Sequence, residues 1–193
     1  MLRPRILSMM SRASHDTTAS FHAGSPTSPA PDTLTALGPG VASALERRDA
    51  ARFCEAILPS VSRTFALGIR VLPGALGHAV LDAYLLCRIA DTVEDAPGFD
   101  PQVKAALFDD FLAAFDSDEA LQRFLAGIAP LGGDIAHLTL TRNYDLVLEH
   151  FGTLPEATRT MVRKWVTEMA LGMRKFVLLY PNGIRIQTIE EYK

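Results

Sequence analysis

GALGHAVLDAYLLCRIADTVED, residues Gly74 to Asp95, is the stretch on which the fold turns. It predicts one helix, opened after Pro73 and closed by Pro97-Gly98, residues suited to a helix start and stop. Leu76, Val80, Ala83, Leu85, Leu86, Cys87, Ile89, Ala90 and Val93 place apolar side chains nearly all the way round, and such a helix is normally buried. Tyr84, Arg88, Asp91 and Asp95 follow at spacings of four, three and four. At ~100° per residue they fall within an arc of about 60°, one polar stripe on an otherwise apolar rod.

Like charges at i, i+4, as at Asp91 and Asp95, destabilise a helix by roughly 0.2–0.5 kcal/mol in water. In a dry core each unpaired ion costs several kcal/mol. A divalent cation turns that repulsion into a binding site. Magnesium takes one or two protein carboxylates, keeps waters and fills its remaining positions with phosphate oxygens. Arg88, one turn back, can hold the same phosphate with a forked pair of donors. The same spacing also fits an Arg88–Asp91 ion pair with a solvated Asp95 at the helix end.

Outward from this helix, the chain reads as one domain of helices. Its 193 residues are enough for a real core. Hydrophobic residues make up 48% and the net charge is −3. No run of Lys and Arg with interleaved aromatics points to nucleic acid. Cys54 and Cys87 lie among apolar neighbours and read as reduced, buried thiols, with neither disulfide nor zinc spacing. His15, His22, His78, His137 and His150 show no ligand spacing; His137 reads as partly buried and His150 as a surface side chain.

Residues 1–42 form a tail rich in Ser, Thr, Pro, Ala and Gly, with Arg3, Arg5 and Arg12 near its start. The composition fits a transit peptide and fits a disordered tail equally well; the tail is the reading adopted. No run of 18 apolar residues occurs, so no spanning helix is expected.

From Glu46 onward the period is helical. Glu46–Leu58 is expected to stop at Pro59, and Ser60 or Ser62 to cap a short helix to Val71. Asp100-Pro101 opens a helix to about Phe115, and Ser117 caps another to about Leu125. Gly132-Gly133-Asp134 starts one to about Phe151, and Pro155 opens the longest, to roughly Leu179. In that last helix Val162, Trp165, Val166, Met169, Met173, Phe176 and Val177 form a core stripe around Gly172. The glycine costs ~1 kcal/mol against alanine, which implies close packing or room for a ligand. The fold is expected to be all-α. Thr188–Glu191 is a capping box two residues before the last residue, Lys193. It suggests a helix cut short, and with it a chain that is catalytically dead and marginally folded.

Ser62-Arg63-Thr64-Phe65, about twenty residues ahead of Tyr84-Leu-Leu-Cys-Arg-Ile-Ala-Asp-Thr-Val-Glu-Asp95, resembles the squalene and phytoene synthase family. The likeness continues in Glu168–Met173 and, more loosely, in the final TIEEYK. It implies an isoprenoid synthase-type helical bundle around a central cavity, with residues 43–193 its N-terminal part. It also implies a prenyltransferase that joins two prenyl diphosphates head to head through a cyclopropylcarbinyl diphosphate.

By position, the resemblance assigns Asp91 and Asp95, with Glu94 as a further contributor, to Mg²⁺ on a substrate diphosphate. Arg88 would contact diphosphate or the NADPH phosphate, Ser62 and Arg63 would share that end, Phe65 would face the cavity, and Tyr84 would face the cation. The implied partners are farnesyl or geranylgeranyl diphosphate, with peripheral membrane association for product release and an otherwise cytoplasmic location. A squalene-type enzyme using NADPH is the leading reading. A phytoene- or dehydrosqualene-type enzyme without reductant and a non-catalytic helical fragment are the alternatives. The family's second aspartate-rich motif has no match in this sequence: Asp109-Asp110 and Asp116-Ser-Asp118 have the wrong spacing.

Overall fold

Local capping chemistry sets most of the helix starts. The structure is a computed structural model and describes residues 37–181; the capping box at Thr188–Glu191 and the final TIEEYK lie outside them. Among the described residues the chain is all-α, with no strand. Helix α1 (Pro39–Arg47) starts with proline in its first turn, ahead of the expected boundary at residue 43. Helices α2 (Ala50–Val61) and α3 (Arg63–Arg70) are capped by Asp49 and Ser62, whose side chains accept from Arg52 N and Phe65 N. The central helix α4 (Gly74–Glu94) follows Pro73 as expected.

Helices α5 (Pro101–Ala113), α6 (Asp118–Ile128) and α7 (Ile135–Arg142) carry caps at Asp100, Ser117 and Asp134. Each cap satisfies backbone donors that have no partner inside the helix. Helices α8 (Tyr144–Gly152) and α9 (Glu156–Leu179) complete the set.

Two expected helices are each divided. The first breaks at Arg48, whose φ of 52° is left-handed. An ion pair from Arg48 to Asp145 on α8 accompanies that conformation. It does not stop at Pro59, which sits inside α2; proline removes one hydrogen bond, and this close to the helix end little helix remains to be disturbed. The other break is at Asn143, whose side chain donates to the Thr139 carbonyl at 2.8 Å. An asparagine that bonds nearby backbone competes with the helix ladder.

Helix α4 lies at the centre, packed against α2, α3, α5, α7, α8 and α9. Its Leu85, Leu86, Ile89, Ala90 and Val93 are fully buried; cutting one of the large ones to alanine costs about 2–5 kcal/mol. A second knot of the core joins α5, α6 and α8. There the Phe111 and Tyr144 rings stack at 5.0 Å, and the buried Tyr144 hydroxyl donates to the Phe111 carbonyl at 3.1 Å.

Along α9, Val166, Ala170 and Val177 are buried and Met169 and Met173 pack against the core. Trp165 is not part of that stripe: it is 63% exposed. The apolar set of this helix is wider than the face its neighbours cover. Among the described residues a Cβ at Gly172 would meet nothing within 4 Å, so there the glycine marks open space and not a close approach. Among the described residues no helix is long and apolar enough to cross a membrane.

Candidate functional site

The polar stripe of α4 begins at an aromatic ledge. Ser62 turns the chain from α2 into α3, and its hydroxyl accepts from Phe65 N at 3.3 Å. That turn lays the Phe65 ring on Tyr84 with centroids 4.8 Å apart. One helical turn on, Arg88 Nη2 donates to Tyr84 Oη at 3.0 Å, and the guanidinium carbon lies 5.6 Å from the Tyr84 ring centre. Arg88 Nη1 approaches Asp91 Oδ2 at 3.4 Å. Phe65, Tyr84, Arg88 and Asp91 thus form one continuous chain of contacts, and Asp95 follows at the C-cap of α4.

Arg88, Asp91 and Asp95 share a cavity of about 210 Å³ at that end of the helix. Its far wall is Gly132, Gly133, Asp134 and His137, from the loop before α7 and the first turn of α7. Gly133 has a φ of 144°, which side-chain-bearing residues rarely adopt. Asp134 is committed to capping, accepting from Ala136 N and His137 N. Sequence reading had Gly132-Gly133-Asp134 only as a helix start; nothing in its spacing reveals that it faces α4.

Charge in this cavity is out of balance. Burial pushes the Asp91 carboxyl up; the Arg88 charge opposes that rise, Asp95 adds a smaller repulsion, and His137 offsets a little more. Glu94 is also raised, by burial first and then by Asp95 and Asp91. Its side chain does not line the cavity, and its backbone carbonyl accepts from Lys104 Nζ. The Arg88–Asp91 pair and exposed Asp95 match the ion-pair alternative of the sequence, and the cavity is present as well. Arg88 Nε is buried with no hydrogen-bond partner among the described residues.

Of the remaining predicted residues, Arg63 is exposed on α3 and the Ser62 hydroxyl is used as a cap. Neither lines the cavity beneath Asp91. Cys87 is half-buried, and burial with the Asp91 charge pushes its thiol up to about 11. His137 is partly buried as expected. His150 is not on the surface: it is 5% exposed and bonded to Asp82. Asp82 escaped sequence reading because its partner lies 68 residues away.

An all-helical domain with an arginine and paired carboxylates at a cavity rim has the build of an anion-and-metal site on an α-helical scaffold. The comparisons narrow that class. The squalene/phytoene synthase model matches residues 58–193, and the chain belongs to that family. It is 33% identical over 126 residues to Botryococcus squalene synthase from Botryococcus braunii, covering 65% of this chain and 25% of that protein. It is 27% identical over 143 residues to squalene synthase from Schizosaccharomyces pombe, covering 73% and 30%.

Inactive squalene synthase 2 from Arabidopsis thaliana is 28% identical over 147 residues, covering 72% and 31%. The solved structure of TcSQS in complex with the ligand BPH1237 aligns with a TM-score of 0.58 and 26% identity. That alignment covers 75% of this chain and 39% of the other. The chain therefore spans about a quarter to a third of the length of the curated relatives it matches.

Proposed function

We propose that this chain carries the first diphosphate-binding wall of a squalene synthase. The reaction would condense two farnesyl diphosphates head to head, through presqualene diphosphate, with NADPH reducing the product to squalene. The supporting observation is the stripe itself: Tyr84, Arg88, Asp91 and Asp95 run in line to a cavity, and Arg88 has a buried N–H with no partner among the described residues.

The donor set fits a hard divalent cation such as Mg²⁺, since Asp91 and Asp95 are oxygen ligands at the rim of a cavity with room for water and phosphate. Asp91 and Asp95 would hold the ion, with Glu94 next to them in the same negative field. When bound, the metal supplies Lewis-acid stabilisation of the departing diphosphate.

The chain's own residues have separate tasks. Arg88 aims guanidinium N–H groups at phosphate oxygens and offsets the negative charge that grows there as the allylic C–O bond breaks. Tyr84 offers a ring face to the developing carbocation, worth ~1–2 kcal/mol when desolvated. The Arg88 guanidinium already lies 5.6 Å from the centre of that ring, and the stacked Phe65 ring helps to fix its plane. Ser62 holds Phe65 by capping α3. The buried Leu85, Leu86 and Ile89 anchor the helix that presents these groups.

A second reading, that the chain binds diphosphate without turnover, draws on the likeness to a relative named as an inactive squalene synthase. Incubation with farnesyl diphosphate and Mg²⁺, followed by gas chromatography, separates the readings. The cyclopropyl intermediate should accumulate without NADPH, and squalene should appear with it. A conjugated-triene product regardless of NADPH would favour the dehydrosqualene or phytoene alternative. Diphosphate binding with no product would favour the inactive reading.

A further inference from the structure

The side of α4 turned away from the acidic stripe gathers a different set of donors. Asp82 is fully buried there. Its Oδ1 lies 2.6 Å from His150 Nδ1 on α8, while its Oδ2 has no hydrogen-bond partner among the described residues. Cys54, a buried free thiol on α2, completes the group. One ligand atom from each of Cys54, Asp82 and His150 lies within 4.8 Å of the others. Three helices distant in sequence thus bring a sulfur, an oxygen and a nitrogen to one point in the core. An orphaned carboxylate oxygen in such a place is costly, and a core that needed only packing would not hold it.

We propose that Cys54, Asp82 and His150 form a buried binding site for zinc or a zinc-like divalent ion, tying α2, α4 and α8 together. The donor set selects the metal class, because thiolate with imidazole suits zinc whereas magnesium and calcium want oxygen. Charge balances without any outside group. Before binding, the site holds a neutral thiol and a proton shared by His150 and Asp82. Zinc displaces the thiol proton and the shared proton, leaving a thiolate, a carboxylate and a neutral imidazole around a doubly positive ion. Two protons leave, two positive charges arrive, and the buried site stays neutral.

Zinc–ligand bonds of about 2.0–2.3 Å place donors about 3.5 Å apart, so the 2.6 Å contact between Asp82 and His150 would open while the longer separations, up to 4.8 Å, close by about 1 Å. His78 stands one turn before Asp82 on α4, with its ring 5.6 Å from that of His150. It lines a neighbouring cavity of about 310 Å³. The site is independent of the diphosphate wall and of any reaction proposed for it.

The experiment uses the full chain, stripped with a chelator and titrated with Co²⁺ alone. The expected result is a near-ultraviolet thiolate-to-cobalt band that saturates stoichiometrically and is bleached by Zn²⁺ but not by excess Mg²⁺. Cys54→Ala should lose the band and Cys87→Ala should keep it. Zinc at about a hundred times its Kd should raise the Tm by about 5–10 °C. Absence of the band from the unsubstituted chain overturns the proposal, and that measurement needs no variant to fold. A band lost in Cys87→Ala but kept in Cys54→Ala overturns it as well, since the metal would then sit beside Asp91.

Discussion

Asp82 and Asp91 stand on the same helix, nine residues apart, and at ~100° per residue that puts them on opposite sides of it. Asp82 is 0% exposed and held by a histidine from another helix. Asp91 keeps 33% of its side chain exposed and, among the described residues, pairs with an arginine of its own helix at 3.4 Å. Burial raises both carboxyls. The outcomes differ because the sealed side can answer a charge only by pairing, whereas the open side can also answer it with a ligand. A buried acid that ties helices together supports the fold. A half-exposed acid next to another acid costs stability and leaves its oxygens open to solvent.

The largest expected effect tests the sealed side. Asp82→Leu leaves His150 buried without its partner and should cost about 3–5 kcal/mol, and Asp82→Leu with His150→Leu should regain most of that. Denaturant unfolding with chelator present measures both; a single substitution costing under about 1 kcal/mol would break the contrast.

Next comes the open side. Asp91→Asn should weaken Mg²⁺-dependent binding of inorganic diphosphate by about 10²-fold. Its stability should hold or rise by a few tenths of a kcal/mol as repulsion from Asp95 disappears. Calorimetric titration beside a thermal melt gives both numbers, and a matching loss of stability would mean that the two sides are alike.

Smaller still is Tyr84→Phe, which removes the 3.0 Å bond from Arg88 while keeping the ring on Phe65. A stability loss of about 0.5–1.5 kcal/mol is expected in unfolding experiments. A larger loss would place Tyr84 with the sealed side.

The smallest effect lies where water screens everything. A hydrogen bond from Arg163 on α9 holds the Asp116 carboxyl below its usual range. A lowered carboxyl stabilises the fold above its unfolded value, about 3.9, and that support is lost as pH falls through the lower folded value. The pair is exposed, so Asp116→Asn should lower stability at pH 7 by under about 1 kcal/mol and flatten the acid limb of the pH profile.

Features set by near neighbours in the chain were legible in the sequence. The caps at Ser62, Asp100, Ser117 and Asp134 were readable because each side chain bonds backbone two or three residues on. The α4 stripe was readable because helical period alone aligns it. Distant encounters were hidden. Arg48 adopts a left-handed conformation that glycine would have announced. Asn143 divides α7 from α8 by bonding back to Thr139. His150 looked like a surface residue until the fold brought Asp82 to it. The wall of Gly132, Gly133 and His137 had no periodicity to reveal it.

Trp165 is the single tryptophan of the chain, 63% exposed on α9, with the Lys164 ammonium 5.0 Å from its ring centre. Its fluorescence is therefore that of a wet indole even in the folded state. Unfolding should move the emission maximum very little, which makes tryptophan emission a poor gauge of denaturation. The same placement makes it a selective optical reporter. Whatever covers the outer face of α9, be it a protein, a lipid surface or a further segment of chain, should shift the emission to the blue while the helical circular dichroism stays the same.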